Sequence, residues 1–202
     1  MQLILKDIGQ RFNQKWIFKG LNMRFDSGLH YAITGKNGSG KSTLLMIIAG
    51  YINPTKGMVV RLFEEKSIVT EEVYKQLSIS SPYLELIEDY SLEETLIFHG
   101  KFKPFLPGFN LESLISLSGL KESRHKALKH FSSGMKQRVK LLLAIMSNTQ
   151  LVLLDEPSAN LDSDAVSWYQ QLKQDYGKNR SFIICSNHNP EEYPQVKEIF
   201  SI

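Results

Sequence analysis

Leu29-His30-Tyr31-Ala32-Ile33-Thr34-Gly35-Lys36-Asn37-Gly38-Ser39-Gly40-Lys41-Ser42-Thr43-Leu44-Leu45-Met46-Ile47-Ile48-Ala49-Gly50 is the stretch that decides the fold. Its first part, Leu29 to Thr34, is a mostly apolar run of strand length. A glycine-rich turn follows, then a helical pattern from Lys41 to Ala49, with Gly50 placed as a C-terminal cap. Residues 35–43 satisfy G-x-x-x-x-G-K-[ST] between a strand and a helix, the context in which that motif cradles phosphate. Gly35, Asn37, Gly38, Ser39 and Gly40 form a loop whose backbone N–H groups converge on phosphate oxygens, and the helix N-terminus adds partial positive charge. Lys41 reaches the outer phosphates, Ser42 offers a hydroxyl to Mg²⁺, and Thr43 completes the candidate nucleotide-binding set.

Further along, Leu151-Val152-Leu153-Leu154 is followed by Asp155-Glu156. Two carboxylates at the C-terminal end of a buried strand stand where α/β sheets bind ligands. Asp155 is the candidate metal ligand, because hard cations take oxygen donors, and Glu156 the candidate base for an attacking water. Together with the upstream phosphate loop, the pair reads as a nucleotide-hydrolysis site.

Around these motifs the chain alternates strand and helix. Leu3, Leu5, Leu21, Met23 and Phe25 alternate with polar residues as half-buried strands do. Leu77 to Ser80, Leu151 to Leu154 and Ser181 to Ser186 read as strands, and Ser163 to Tyr176 as a helix stopped at Gly177. Ser91 with Glu94 makes a capping box, Leu111 to Leu117 is amphipathic, and the intervening HGKFKPFLPGFN reads as a loop. Residues 83–147 are thus expected to form a mainly helical insertion, inside an α/β core of residues 1–82 and 148–202.

With 202 residues, 42% hydrophobic and 22% charged, the chain has the composition of a globular protein of one or at most two domains, which excludes collagen-like and disordered classes. A net charge of +3 is too weak a field to imply nucleic-acid binding. No apolar run approaches the roughly 18 residues of a membrane span. Lys6 and Asp7 interrupt the start where a secretory signal needs unbroken apolar sequence, and the single Cys185 permits no internal disulfide. A cytoplasmic chain is expected.

Three further segments fix the class. Phe131-Ser132-Ser133-Gly134-Met135-Lys136-Gln137-Arg138 resembles the LSGGQ signature of ATP-binding cassette (ABC) proteins, Pro157 to Asp162 resembles their D-loop, and Ser186-Asn187-His188 their switch histidine. All the motifs stand in the family's order over essentially the whole chain. The resemblance implies a P-loop NTPase fold of the ABC ATPase type, with a mainly parallel core sheet, an N-terminal antiparallel β part and an inserted helical subdomain. It implies ATP and Mg²⁺ as ligands, Glu156, His188 and Lys41 as catalytic residues, and Phe12 as the aromatic that stacks on adenine, with Trp16 as a rival. Ser132 and Gly134 would meet the γ-phosphate of ATP held by a second cassette, in a homodimer or heterodimer.

The resemblance also implies a function: the ATP-hydrolysing subunit of an ABC transporter, held at the inner face of the cell membrane by separate permease subunits. Pro82 to Glu94, with Tyr83, Leu84, Leu86 and Ile87, would receive their coupling helices. The alternatives are a non-transport ABC ATPase, or an ATP-dependent scaffold that hydrolyses weakly. Two departures bear on the last. Ser80-Ser81-Pro82 stands where the family has its Q-loop glutamine, and Ser133 and Met135 replace a glycine and the glutamine of the signature. The basic stretch Lys121 to His130 reads as a solvated face or a partner-facing one.

Overall fold

A computed structural model describes residues 1–202. The first two strands, β1 (Gln2–Phe12) and β2 (Lys15–Phe25), pair antiparallel through a tight turn at Asn13, whose φ is +53°. β3 (His30–Thr34) leads through the glycine loop into α1 (Lys41–Ala49), which Gly50 closes in the left-handed conformation at φ +83°. β4 (Lys56–Phe63) and the short β5 (Lys66–Ser67) complete a four-stranded antiparallel sheet in the order β2-β1-β4-β5.

β6 (Leu77–Ser80) begins the second sheet, and three helices follow it: α2 (Leu92–Phe102), α3 (Leu111–Ser118) and α4 (Ser133–Met146). The chain then returns through β7 (Leu151–Asp155), α5 (Ser163–Tyr176), β8 (Ser181–Ser186) and β9 (Glu198–Ser201). The order β6-β7-β8-β3-β9 is parallel throughout. Parallel strands place all their C-terminal ends at one edge, so the segments after β3, β6, β7 and β8 meet there.

Alternation of side chains across this sheet divides the core in two. Tyr31, Ile33, Leu151, Leu153, Ile183 and Cys185 face α1 and the antiparallel sheet, where they join Leu3, Leu5, Leu44 and Ile48. Val152, Leu154, Phe182 and Ile184 face the other way and join Leu96, Ile115, Leu142 and Tyr169 of the helices. The sequence reading ends the second helix too early. His99 to Phe102 belong to α2, because Gly100 packs against the Phe105 ring and Lys103 Nζ donates to the Leu77 carbonyl at 2.5 Å and the Tyr74 carbonyl at 3.1 Å. No helix is long and apolar enough to cross a membrane.

Candidate functional site

The phosphate loop is shaped by positions that only glycine fills without strain. Gly38 and Gly40 have φ of +81° and +101°, and a Cβ on Gly40 would lie 2.5 Å from Ile17 Cγ2. Gly40 therefore opens α1 without a side-chain cap, and no acidic residue stands in the first turn. The leading N–H groups of α1 are left for a ligand. Lys41 is buried at 5% exposure, and its Nζ donates to the carbonyls of Gly35 at 2.8 Å and Lys36 at 3.1 Å, so the ammonium is held inside the loop. Asn37, Gly38, Gly40, Lys41, Ser42 and Thr43 line a cleft of about 470 Å³ together with Ile17, Tyr83 and Glu156. Gly35 and Ser39 support the loop from within: a Cβ on Gly35 would meet Ser39 Oγ at 2.6 Å, and that hydroxyl is buried without a partner.

Strand register brings the second half of the site to the same edge. Thr34 is level with Ser186, Asp155 with Cys185, and Ser80 with Leu154, so the phosphate loop, the acidic pair, Asn187-His188 and Ser81 emerge side by side. Asp155 is 1% exposed, and burial pushes its carboxyl pKa up, opposed by hydrogen bonds from Ser42 and Ser81. Its Oδ2 accepts from the Ser81 hydroxyl at 3.1 Å, while Oδ1 is buried with no partner. A desolvated carboxylate oxygen left open beside a serine hydroxyl fits a hard cation. No cluster of three or more His, Cys, Asp or Glu side chains surrounds it, so phosphate and water oxygens would complete such a shell.

Glu156 and His188 share a backbone device that the sequence does not reveal. Their φ values are +46° and +60°, in the left-handed region that non-glycine residues enter at a cost of about 1 kcal/mol or more. The Glu156 N–H donates to the Cys185 carbonyl at 2.9 Å, fixing the turn that puts the carboxylate on the cleft wall. His188 is exposed and does not line the cleft; its neighbour Asn187 ties this segment to the phosphate loop by donating to Asn37 Oδ1 at 2.6 Å.

Ser132 and Gly134 lie apart from this cleft. Ser132 is exposed and caps α4 by accepting from the Met135 N–H at 3.2 Å, and no acid stands in the first turn of α4. A Cβ on Gly134 would lie 2.7 Å from the Asn160 carbonyl, so this glycine is required by close packing against the segment after Glu156. Gln137, 5% exposed, reinforces that contact by donating to the Pro157 carbonyl at 3.1 Å. Ser133 stands in helical backbone, where a glycine is not needed. Phe12, beside the turn of the first hairpin, is 51% exposed; Trp16 packs over Gly9 beneath Lys19 Nζ, 4.6 Å from its ring centre. Tyr83, expected with Leu84 and Leu86 on a partner-facing groove, lines the nucleotide cleft, whereas those two leucines line a separate groove with Leu143 and Ala144.

The family model described as "ABC transporter" matches residues 18–159, more than half of the chain. A putative hemin import ATP-binding protein of Staphylococcus aureus is 30% identical over 218 residues, covering 100% of this chain and 97% of its own length. An uncharacterised ABC transporter ATP-binding protein of Bacillus subtilis is 26% identical over 192 residues. The chain spans 62% of that relative, and only 8% of the mouse ATP-binding cassette sub-family A member 7, to which it is 29% identical over 176 residues. Among solved structures, a putative ABC transporter ATP-binding protein of Pyrococcus furiosus matches at a TM-score of 0.81 and 20% identity, covering 100% of this chain and 97% of that one. A dimeric cassette in a post-hydrolysis state bound to ADP and Pi matches at 0.80 and 20% identity, covering 99% and 94%. The phosphate loop, the acidic pair, the two-sheet fold and these matches agree: the chain is an ATP-binding cassette and belongs to the ABC transporter family.

Proposed function

We propose that this cassette is the ATP-hydrolysing subunit of a transporter: it pairs with a second cassette around ATP, at the inner face of the cell membrane, and drives separate membrane subunits. The observation that carries the pairing is the division of the phosphate-binding parts. Lys41, Glu156 and the first turn of α1 share one cleft, while Ser132 and Ser133 at the start of α4 are exposed outside it. Two chains arranged head to tail complete each site with the other's Ser132 and Gly134, and the α4 N-terminus then faces the terminal phosphate. A partner of another sequence would serve as well as a second copy.

Within the site, ATP phosphates replace the carbonyls of Gly35 and Lys36 as acceptors for Lys41 Nζ. Phe12 stacks on the adenine from the hairpin tip. Ser42 and Asp155 hold Mg²⁺, which when bound supplies charge neutralisation at the phosphates. Glu156 accepts the proton of the attacking water, and His188 approaches the γ-phosphate as its exposed loop closes. Loss of the γ-phosphate removes the shared acceptor, and the pair separates. The groove of Leu84, Leu86, Leu143 and Ala144 is where an apolar face of a membrane subunit would seat. Residues 1–82 and 148–202 act as the nucleotide core and residues 83–147 as the arm that carries α4 and this groove.

The test is Glu156→Gln. Phosphate release should fall by at least about 10²-fold, the size of a general-base contribution. In the same variant, ATP but not ADP should shift the protein to a dimer in size-exclusion chromatography with light scattering. Turnover equal to wild type would overturn the role of Glu156, and a monomer under every nucleotide condition would overturn the pairing.

A further inference from the structure

The segment after β6 holds a serine where a longer amide is the family's usual residue, and that serine's hydroxyl is already engaged. Ser81 is completely buried; its Oγ donates to Asp155 Oδ2 at 3.1 Å and accepts from the Tyr83 N–H at 3.4 Å. A second tie, from the Leu84 N–H to the Ser81 carbonyl at 3.1 Å, tightens the same turn. Ser81 therefore cannot reach into the cleft, but it fixes the backbone of the residue that can. Tyr83 lines the same cleft as the phosphate loop and Glu156.

Burial and bonding separate this tyrosine from a packing residue. It is 74% exposed, although an aromatic ring of that size normally buries most of its surface. Its hydroxyl makes no hydrogen bond within the chain, and the ring takes part in none of the aromatic pairs of the molecule. The cleft it lines is shared with Lys41 and Ser42, the residue types that meet the outer phosphates and their metal in such a loop, and with Glu156. A phenol O–H is a donor suited to a phosphate oxygen, and a donor to a charged acceptor forms the stronger class of hydrogen bond.

We propose that Tyr83 is the residue that distinguishes ATP from ADP in this cassette, its phenol O–H donating to an oxygen of the terminal phosphate while Ser81 holds its backbone against Asp155. This rests on the nucleotide assignment of the cleft and not on the transport role. ADP has no γ-phosphate and forfeits the contact, so Tyr83 contributes to the affinity difference between the two nucleotides.

Calorimetric titration of the 202-residue chain with ADP and with the slowly hydrolysed analogue AMP-PNP tests this in Tyr83→Phe, which removes one oxygen and keeps the ring. The affinity for AMP-PNP should fall roughly tenfold, as for one hydrogen bond to a charged group, while that for ADP holds within twofold. Tyr83→Ala should show at least the same selective loss, and the exposure of the side chain keeps both variants folded. An unchanged ratio in Tyr83→Phe, or an equal loss for both nucleotides, would overturn the proposal while leaving the nucleotide site standing. Binding of neither nucleotide by the wild-type chain would overturn both.

Discussion

Two helices of this chain begin without neutralising their own positive ends, and they are the two that the phosphate motifs open. α2, α3 and α5 carry an N-cap side chain, from Ser91, Asn110 and Asp162, and acids in the first turn: Glu93 and Glu94, Glu112, and Asp164. α1 has neither device, and α4 has the cap of Ser132 but no acid. A first-turn carboxylate contributes about 0.3–1 kcal/mol, so its omission costs the free fold something and leaves the end of the helix free for an anion. The difference between the two open helices is as instructive. α1 opens onto a cleft that already holds Lys41 and Glu156, whereas the exposed Ser132 that begins α4 lies outside that cleft.

The opposite end of a helix supplies the largest change expected in stability. His99, in the last turn of α2, sits where a positive charge would favour the helix dipole, yet burial, with the charge of Lys103, lowers its pKa from 6.5 to about 4. The folded state therefore holds fewer protons than the unfolded chain between these values. Stability is full above pH 6.5 and falls as the pH drops through 4, by about 3 kcal/mol for a shift of this size. Denaturant unfolding of wild type and His99→Gln from pH 7 to pH 4 should show a steeper loss in wild type; parallel curves would show that His99 titrates normally.

Gly134→Ala sharpens the comparison at α4. Its Cβ would lie 2.7 Å from the Asn160 carbonyl, a backbone atom that cannot swing away, so the variant should lose about 1–3 kcal/mol. An unchanged unfolding midpoint would mean that the segment after Glu156 yields freely. The smallest effect is the most discriminating. Met135→Glu supplies the acid that α4 lacks, and should raise the stability of the isolated chain by about 0.3–1 kcal/mol while weakening ATP-driven pairing. Stabilised pairing in this variant would break the view that α4 is kept open for a phosphate.

Much of the fold was legible because it is local. β6, α5, β8 and the Ser91–Glu94 capping box each follow from periodicity and caps within a dozen residues. β4 and β9 escaped the sequence reading because their partners, β1 and β3, are remote in the chain, and no local pattern reports a remote pairing. The end of α2 is hidden for a related reason: Gly100 weakens the local helical signal, and it is Phe105 and the carbonyls of Tyr74 and Leu77, before and at the start of β6, that sustain the last turn. From the sequence Tyr83 reads as a partner-facing residue and not as a cleft residue, since the turn that carries it is tied by a hydrogen bond between Ser81 and Asp155, 74 positions apart.

The sequence by itself determined the phosphate loop, the acidic strand end and the order of motifs, because each is a short string whose chemistry depends on neighbours along the chain. Only the tertiary structure decided which of these share a cleft. Parallel register set Ser81, Glu156 and Asn187 at one sheet edge, left-handed backbone at Glu156 and His188 aimed the turns, and the Gly134–Asn160 contact packed the start of α4 against the segment after Glu156. Side-chain direction is a long-range property: it is set by strand pairing and close packing between segments that the sequence lists far apart.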